Sequence, residues 1–322
     1  AKNLSHEDLV PDDPNILVLT KGGYIKRTNP NEFKRQKRGG VGVVDLNTKD
    51  EDFVRIFLEA SAHSDLLFFT DKGKVYQLKM YELPEGKRAT RGKSIMNFIS
   101  LAQDEQVTSV LAMPKSIKKS DGLSVVMVTQ DGVIKKVDAA GFHDVRRSGI
   151  IAITLHPEDK LIAADFSEPK DEIILASEGG QAIHFKESDV RQMGRSAAGV
   201  RALKMKKGDK IIATDVIKAG YDKPTLLVFS ENGYGKQTYI KEYKVQNRGG
   251  SGIKTANVTA KIGKIMTATV ITPEKTELVA ISKKGQVIRV SLEEIPTLGR
   301  QTQGVRIMKM REGDSIASIV CI

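Results

Sequence analysis

Five arginine–glycine pairs, with the arginine four positions ahead, recur along this 322-residue chain. They are Arg38 and Gly42, Arg88 and Gly92, Arg195 and Gly199, Arg248 and Gly252, and Arg300 and Gly304. A sixth segment departs, with Arg146 and Arg147 ahead of Gly149. The first is the richest: Lys34-Arg35-Gln36-Lys37-Arg38-Gly39-Gly40-Val41-Gly42. Four cations followed by three glycines suit a phosphate. Glycine lets backbone N–H groups come close to an anion, Lys supplies charge, and Arg adds a two-pronged donor. Gln246-Asn247-Arg248-Gly249-Gly250-Ser251-Gly252 is a near copy. One Arg-Gly-Gly alone reads most simply as a solvated turn. Recurrence at fixed spacing reverses that weighting, because a surface loop has no packing reason to keep an arginine.

Such loops need elements to hold them at regular intervals, and the sequence supplies them. A short aliphatic run, then Thr or Ser, two residues and a glycine recurs six times: 16–20 with Gly23, 66–70 with Gly73, 125–129 with Gly132, 173–177 with Gly180, 226–230 with Gly233, and 278–282 with Gly285. A second β-rich run follows each glycine, so each phrase predicts a hairpin whose turn needs the positive φ that glycine accepts. Successive turn glycines lie 50, 59, 48, 53 and 52 residues apart, and the loop glycine follows its turn glycine by 19 residues, or 17 in the third unit. Six copies of a roughly fifty-residue all-β unit predict blades around an axis. The hairpins are expected near 16–27, 66–78, 125–137, 173–185, 226–238 and 278–290, within one domain over 14–322, with 1–13 a linker or remnant outside it. Runs such as Val54-Arg55-Ile56-Phe57-Leu58 lead units two to six, and none precedes Ile16. The segment 313–320 resembles the opening of a seventh unit, so the C-terminal strand is expected to complete blade one and close the ring.

Composition narrows the class. Lys and Arg number 51 against 40 Asp and Glu, a net charge of +11, which points to a polyanion: nucleic acid or an anionic membrane. Aromatic residues make up 5% with no Trp, which argues against stacking single-stranded bases on rings. One cysteine, Cys321, forbids an internal disulfide framework. No apolar run approaches the roughly 20 residues that cross a bilayer. These features predict a soluble cytoplasmic protein.

Residues 36–42 resemble the signature of the DNA gyrase A C-terminal domain family, the gyrase-A box written Q-R-R-G-G-[RK]-G, and the likeness in repeat number covers essentially the whole chain. The resemblance implies a six-bladed β-pinwheel of four-stranded blades that exchange strands, with double-stranded DNA wrapped around a basic rim. It implies that catalysis lies elsewhere: ATP and Mg are used on other domains, and the partners are the remainder of the gyrase A protein and the gyrase B protein. Lys37 replaces an arginine of the box, keeping charge but losing the fork, and Val41 replaces a cation. The corresponding C-terminal domain of topoisomerase IV, usually with a degenerate box and fewer blades, is the alternative within this family. On this reading Lys34, Arg35, Gln36, Lys37, Arg38, Gly39, Gly40, Val41 and Gly42 bind DNA from blade one, with Arg88, Arg91 and Lys93 in blade two. Arg146 and Arg147 serve blade three, and Arg191, Arg195 and Arg201 blade four. Lys244, Arg248 and Lys254 serve blade five, and Arg300 and Arg306 blade six.

Other chemistry finds little footing. Residues 86–94 resemble a P-loop, but five residues separate the glycines where four are needed, and they read as blade two's rim loop. The histidines at 6, 63, 143, 156 and 184 show no metal-ligand spacing. Tyr24, Tyr76 and Tyr239 read as half-buried strand residues, and Asp50-Glu51-Asp52 and Glu293-Glu294 as a solvated face away from DNA. A protein-interaction propeller would carry Trp-Asp or kelch signatures, and a propeller enzyme convergent carboxylates or histidines; neither is found.

Overall fold

The computed structural model describes residues 4–34, 52–87, 89–116 and 121–322, the side chains of Phe33 and Lys34 excepted. It is an all-β ring of six antiparallel sheets. Each sheet is built on one of the expected hairpins: Pro14–Thr20 with Tyr24–Thr28, Asp65–Thr70 with Lys74–Lys79, Ser124–Thr129 with Val133–Asp138, Glu172–Ser177 with Gln181–Lys186, Thr225–Ser230 with Tyr234–Tyr239, and Glu277–Ser282 with Val287–Ser291.

The repeated Thr or Ser now has a cause. It ends the first hairpin strand, where the ladder to the neighbouring strand slips register, and it is buried in every blade. In five blades its hydroxyl accepts the N–H four residues on, as from Tyr234 to Ser230 at 3.2 Å and from Gln286 to Ser282 at 3.0 Å. An aspartate from the approach to the next strand holds the tip: Asp52 accepts from Gly22, Asp159 from Asp131, and Asp209 from Gly179. Asp52 is therefore part of a turn, not of a solvated acidic face; Asp50 and Glu51 lie outside the described residues.

Each hairpin gains an inner strand, which follows its own rim loop: Val54–Ser61, Val107–Met113, Leu161–Ser167, Ile211–Ile217, Ile265–Ile271 and Ile316–Cys321. Five hairpins also gain a two-residue outer strand from the unit that follows: Lys93–Ser94, Ile150–Ile151, Val200–Arg201, Ile253–Lys254 and Val305–Arg306. This is the exchange that defines a pinwheel. Blade six shows three strands among the described residues.

The expectation for the C-terminal strand needs correcting. The runs read as leading their units each pair backwards, Val54–Ser61 with Pro14–Thr20 of blade one. By the same rule Ile316–Cys321 pairs with Glu277–Ser282 and completes blade six, so the two ends of the chain lie in different blades. The ring meets by side-chain contact instead, where Ser318 Oγ donates to the Val54 carbonyl at 2.7 Å. The lead-in is docked as well: Ala62 N–H donates to the Asp13 carbonyl at 2.8 Å, and His63 N–H to Asp12 Oδ1 at 3.0 Å.

The core lies between blades. Leu17 and Leu19 of blade one pack with Leu66 and Phe68 of blade two, while Leu67 and Phe69 on the opposite face pack with Val125 and Met127 of blade three. A hairpin strand buried on both faces must be apolar at every position, which is why these runs do not alternate. Each such side chain contributes about 1.5–3 kcal/mol on burial. Between blades six and one, the buried cluster among the described residues holds only Ile16, Val18 and Val54 of blade one, with Phe57 packed against it.

Candidate nucleic-acid interface

A single turn of 3-10 helix follows the second hairpin strand in blades two to six, for example Ile240–Glu242, and the chain then runs as a loop along the outside of the preceding blade. The loop ends on a glycine and enters the outer strand. Beyond that strand a clasp repeats five times: the N–H of Ile95, Ala152, Ala202, Thr255 and Ile307 donates at 2.8 Å to the carbonyl of the preceding blade's turn glycine. The loop glycine is required by geometry. Gly252 has φ +70°, and a Cβ there would sit 2.4 Å from the Ala182 carbonyl oxygen of the strand it crosses.

The outer strands put cations in register. Arg201, Lys254 and Arg306 are each the second residue of an outer strand, each exposed, and each opposite the residue after a turn glycine (Val133, Gln181 and Tyr234). Blades three, four and five thus carry a cation at one equivalent rim position; Ser94 and Ile151 occupy it in blades one and two. Lys93, on the outer strand of blade one, and Arg146, Arg191 and Lys244, on the rim loops, are also exposed. Arg91 is exposed and lies flat on Tyr24 of the blade before, 3.6 Å from guanidinium carbon to ring centre, which holds the fork without neutralising it.

Other expected residues already have partners within the protein. Arg147 forms an ion pair with Glu82 of the preceding unit. Arg248 donates to the carbonyls of Arg201 and Asp189, and Arg300 donates to the Lys254 carbonyl at 2.7 Å. Contrary to the sequence reading, the repeated arginine has a packing reason: in units five and six it ties its loop to the outer strand of the unit before. Arg195 is half-buried, and its carbonyl points at a lysine of blade three. Of Lys34 only the backbone is described, at the end of the short helix Asn31–Lys34. Arg35, Gln36, Lys37, Arg38, Gly39, Gly40, Val41 and Gly42, and also Arg88, lie outside the described residues.

Comparison with known proteins gives this arrangement a family. The pattern of the family described as "DNA gyrase C-terminal domain, beta-propeller" matches residues 14–58, 64–112, 124–167, 171–218, 224–272 and 276–322, one match per blade. The chain belongs to that family. It is 37% identical over 318 residues to the gyrase A protein of Staphylococcus epidermidis, covering 99% of this chain and 35% of that protein. It is 39% identical over 311 residues to the gyrase A protein of Lawsonia intracellularis, covering 97% of this chain and 37% of that one. The chain therefore spans about a third of the length of the curated relatives it matches. Among solved structures, a DNA gyrase A C-terminal domain superposes with TM-score 0.77 at 26% identity, covering 96% of this chain and 99% of that one. A topoisomerase IV C-terminal domain reaches 0.79 at 23% identity, covering 97% and 94%, a likeness of fold alone.

Three further residues of this family member bear on the rim and were not singled out in the sequence. Lys26, Lys135 and Lys236 are buried on second hairpin strands, each three residues after a turn glycine, with their ammonium groups on loop carbonyls. The shared offset was the available signal; alternation with Tyr76, Ile183 and Ile288 at the same position in the other blades hid it. The tyrosines also differ from expectation: Tyr24 is half-buried, but Tyr76 is fully buried with its hydroxyl donating to Glu105 at 2.8 Å, and Tyr239 is exposed.

Proposed function

We propose that this chain binds double-stranded DNA without sequence preference, bends it and wraps it around the rim, as the DNA-wrapping domain of a gyrase A protein. The observation that carries the reading is the equal register of Arg201, Lys254 and Arg306 on three successive blades, a cation track along the outer edge of blades three, four and five. Duplex DNA is stiff: bending 20–30 base pairs by 40–90° costs about 1–6 kcal/mol. Phosphate contacts spread over the blades each offset part of that cost, and they position the duplex without reading its bases. The candidate contacts are the rim residues from Lys34 to Arg306, including those outside the described residues, while Arg147, Arg248 and Arg300 support the loops. Residues 14–322 act as one domain and 1–13 as the link to the rest of the gyrase A protein.

In the whole enzyme, wrapping of one hand presents a chosen segment for strand passage, so that ATP-dependent negative supercoiling follows. ATP and Mg are handled on other domains, and no cofactor is assigned here. The partners are DNA, the remainder of the gyrase A protein as a dimer, and the gyrase B protein. The compartment is the bacterial cytoplasm, and no helix among the described residues is long and apolar enough to cross a membrane.

The deciding experiment relaxes a closed DNA circle in the presence of the isolated chain and measures linking number after the protein is removed. A shift proportional to bound protein is expected, and no shift would defeat the wrapping claim. Binding should also fall steeply with salt, releasing more than about four ions at roughly 0.9 per neutralised phosphate.

A further inference from the structure

The rim loops of alternate units rest on buried ammonium groups. Lys26, Lys135 and Lys236 share one register position in blades one, three and five, and none is more than 1% exposed. Lys26 Nζ donates to the carbonyls of Lys87 at 2.9 Å and Thr90 at 2.7 Å in the loop of unit two. Lys135 Nζ donates to the Ala152 carbonyl at 2.8 Å and to the Arg195 carbonyl in the loop of unit four. Lys236 Nζ gathers three carbonyls of unit six, Gly299 at 2.9 Å and Arg300 and Thr302 at 2.8 Å. The other described rim loops are held differently: the Tyr76 ring lies beneath Gly149, and Arg248 ties its own loop through its side chain.

Taking the DNA-wrapping reading as given, we propose that Lys26, Lys135 and Lys236 are positioning residues for DNA, each drawing the carbonyls of the next unit's rim loop inward so that the loop's amides and cations face the duplex. A peptide's C=O and N–H point in opposite directions, so rim-loop carbonyls converging on an interior cation leave N–H groups on the outer side, where a phosphate can use them. The Ala152 peptide, beyond the loop, is the exception, its N–H donating to Gly73. Such a site places a full charge behind the loop without exposing it, and the three carbonyls around Lys236 leave none of its donors spare. Burial pulls the pKa of all three lysines down to about 8. The charges facing them are Glu32 for Lys26, Arg195 for Lys135, and Glu242 and Arg300 for Lys236. Near neutral pH the ammonium form predominates. Between about pH 7.5 and 9 it discharges, whereas exposed lysines, ordinarily near 10.4, and arginines keep their charge. The neutral amine loses the charge that strengthens each bond to a carbonyl, and at Lys236 its lone pair also repels the third carbonyl.

The test compares the wild-type chain with Lys26→Met, Lys135→Met and Lys236→Met, singly and combined, since Met keeps the length and apolar stem and removes only the ammonium. Hydrogen exchange without DNA should show each single variant loosening only its own loop, around 87–92, 194–199 or 299–304. DNA affinity of the triple variant should drop at least about tenfold at pH 7.5. Its profile from pH 7.5 to 9 should be flat where that of wild type declines. A folded triple variant with wild-type affinity and pH profile would overturn the proposal. Should the variants not fold, the wild-type protein suffices: after correction for intrinsic rates, raising the pH to 9 should cost protection at the three clamped loops and spare 146–149 and 248–252. Equal behaviour of the two sets would overturn it. A wild-type chain that binds no DNA would instead defeat the wrapping reading, and the exchange measurements tell the two failures apart.

Discussion

Asp165 and Asp215 stand on the inner strands of blades three and four, and both keep part of their surface open to water. Burial raises the pKa of each, Asp215 to about 6 with the Asp165 charge as second cause. An Asp whose folded pKa lies above its unfolded value near 3.9 stabilises the fold below that unfolded value, and the contribution is lost as pH rises through the folded one. The thermal midpoint should therefore be higher at pH 5 than at pH 7.5. Asp165→Asn should narrow the difference, because Oδ1 can still accept from Phe166 N–H at 2.7 Å while the charge is gone. A gain in stability at pH 7.5 is expected, because the change removes a buried charge and its repulsion of Asp215. Thermal unfolding across the two pH values measures both. A variant less stable than wild type at pH 7.5 would show that the carboxylates contribute hydrogen bonds worth more than their repulsion.

At the scale of one element, the loop and its outer strand behave as a clasp that tolerates no side chain at its pivot. Gly252→Ala should cost about 2–3 kcal/mol in denaturant unfolding, because a strained φ and a Cβ at 2.4 Å from a carbonyl oxygen act together. Gly208→Ala is the control. Its φ of +78° is equally left-handed, but nothing lies within 4 Å of the added Cβ, so only the backbone strain of about 1 kcal/mol remains. Equal losses would mean that the crossing beneath Gly252 is not tight. The 19-residue offset was legible because both glycines hold a positive φ, a demand of the backbone at the glycine itself. The destination of the arginine between them was not legible. Arg300 reaches the Lys254 carbonyl, 46 residues away, and only the ring brings that oxygen alongside.

For the whole molecule, stability is distributed around the ring but not evenly. Four junctions, from blades two and three to blades five and six, bury clusters from both neighbours, as does the junction of blades one and two. The sixth, among the described residues, holds a buried cluster drawn from blade one alone, Ile16, Val18 and Val54, beside the Ser318 to Val54 hydrogen bond. Local opening follows local packing. Amides of Val54–Ser61 and Ile316–Cys321 should exchange faster than those of Leu161–Ser167 and Ile211–Ile217, all inner strands of the same ring. Hydrogen exchange read by mass spectrometry checks this directly. Uniform protection of all inner strands would show that the seam is as firm as the rest.

What the sequence determined by itself was everything with a local cause: six hairpins, their turns, the periodicity near fifty residues, the loop glycines and the basic balance of the chain. Hairpin pairing joins residues a few positions apart, so its signals sit side by side in the sequence. The tertiary structure decided what is joined across blades. It assigned Ile316–Cys321 to blade six, because each inner strand pairs with the hairpin that precedes it. It turned Arg147, Arg248 and Arg300 from free cations into loop ties, while leaving Arg201, Lys254 and Arg306 exposed at one register. It also buried Lys26, Lys135 and Lys236 behind loops of a neighbouring unit. A charge in a strand looks the same in the sequence whether water or a carbonyl cage receives it, and only closure of the ring chooses between them.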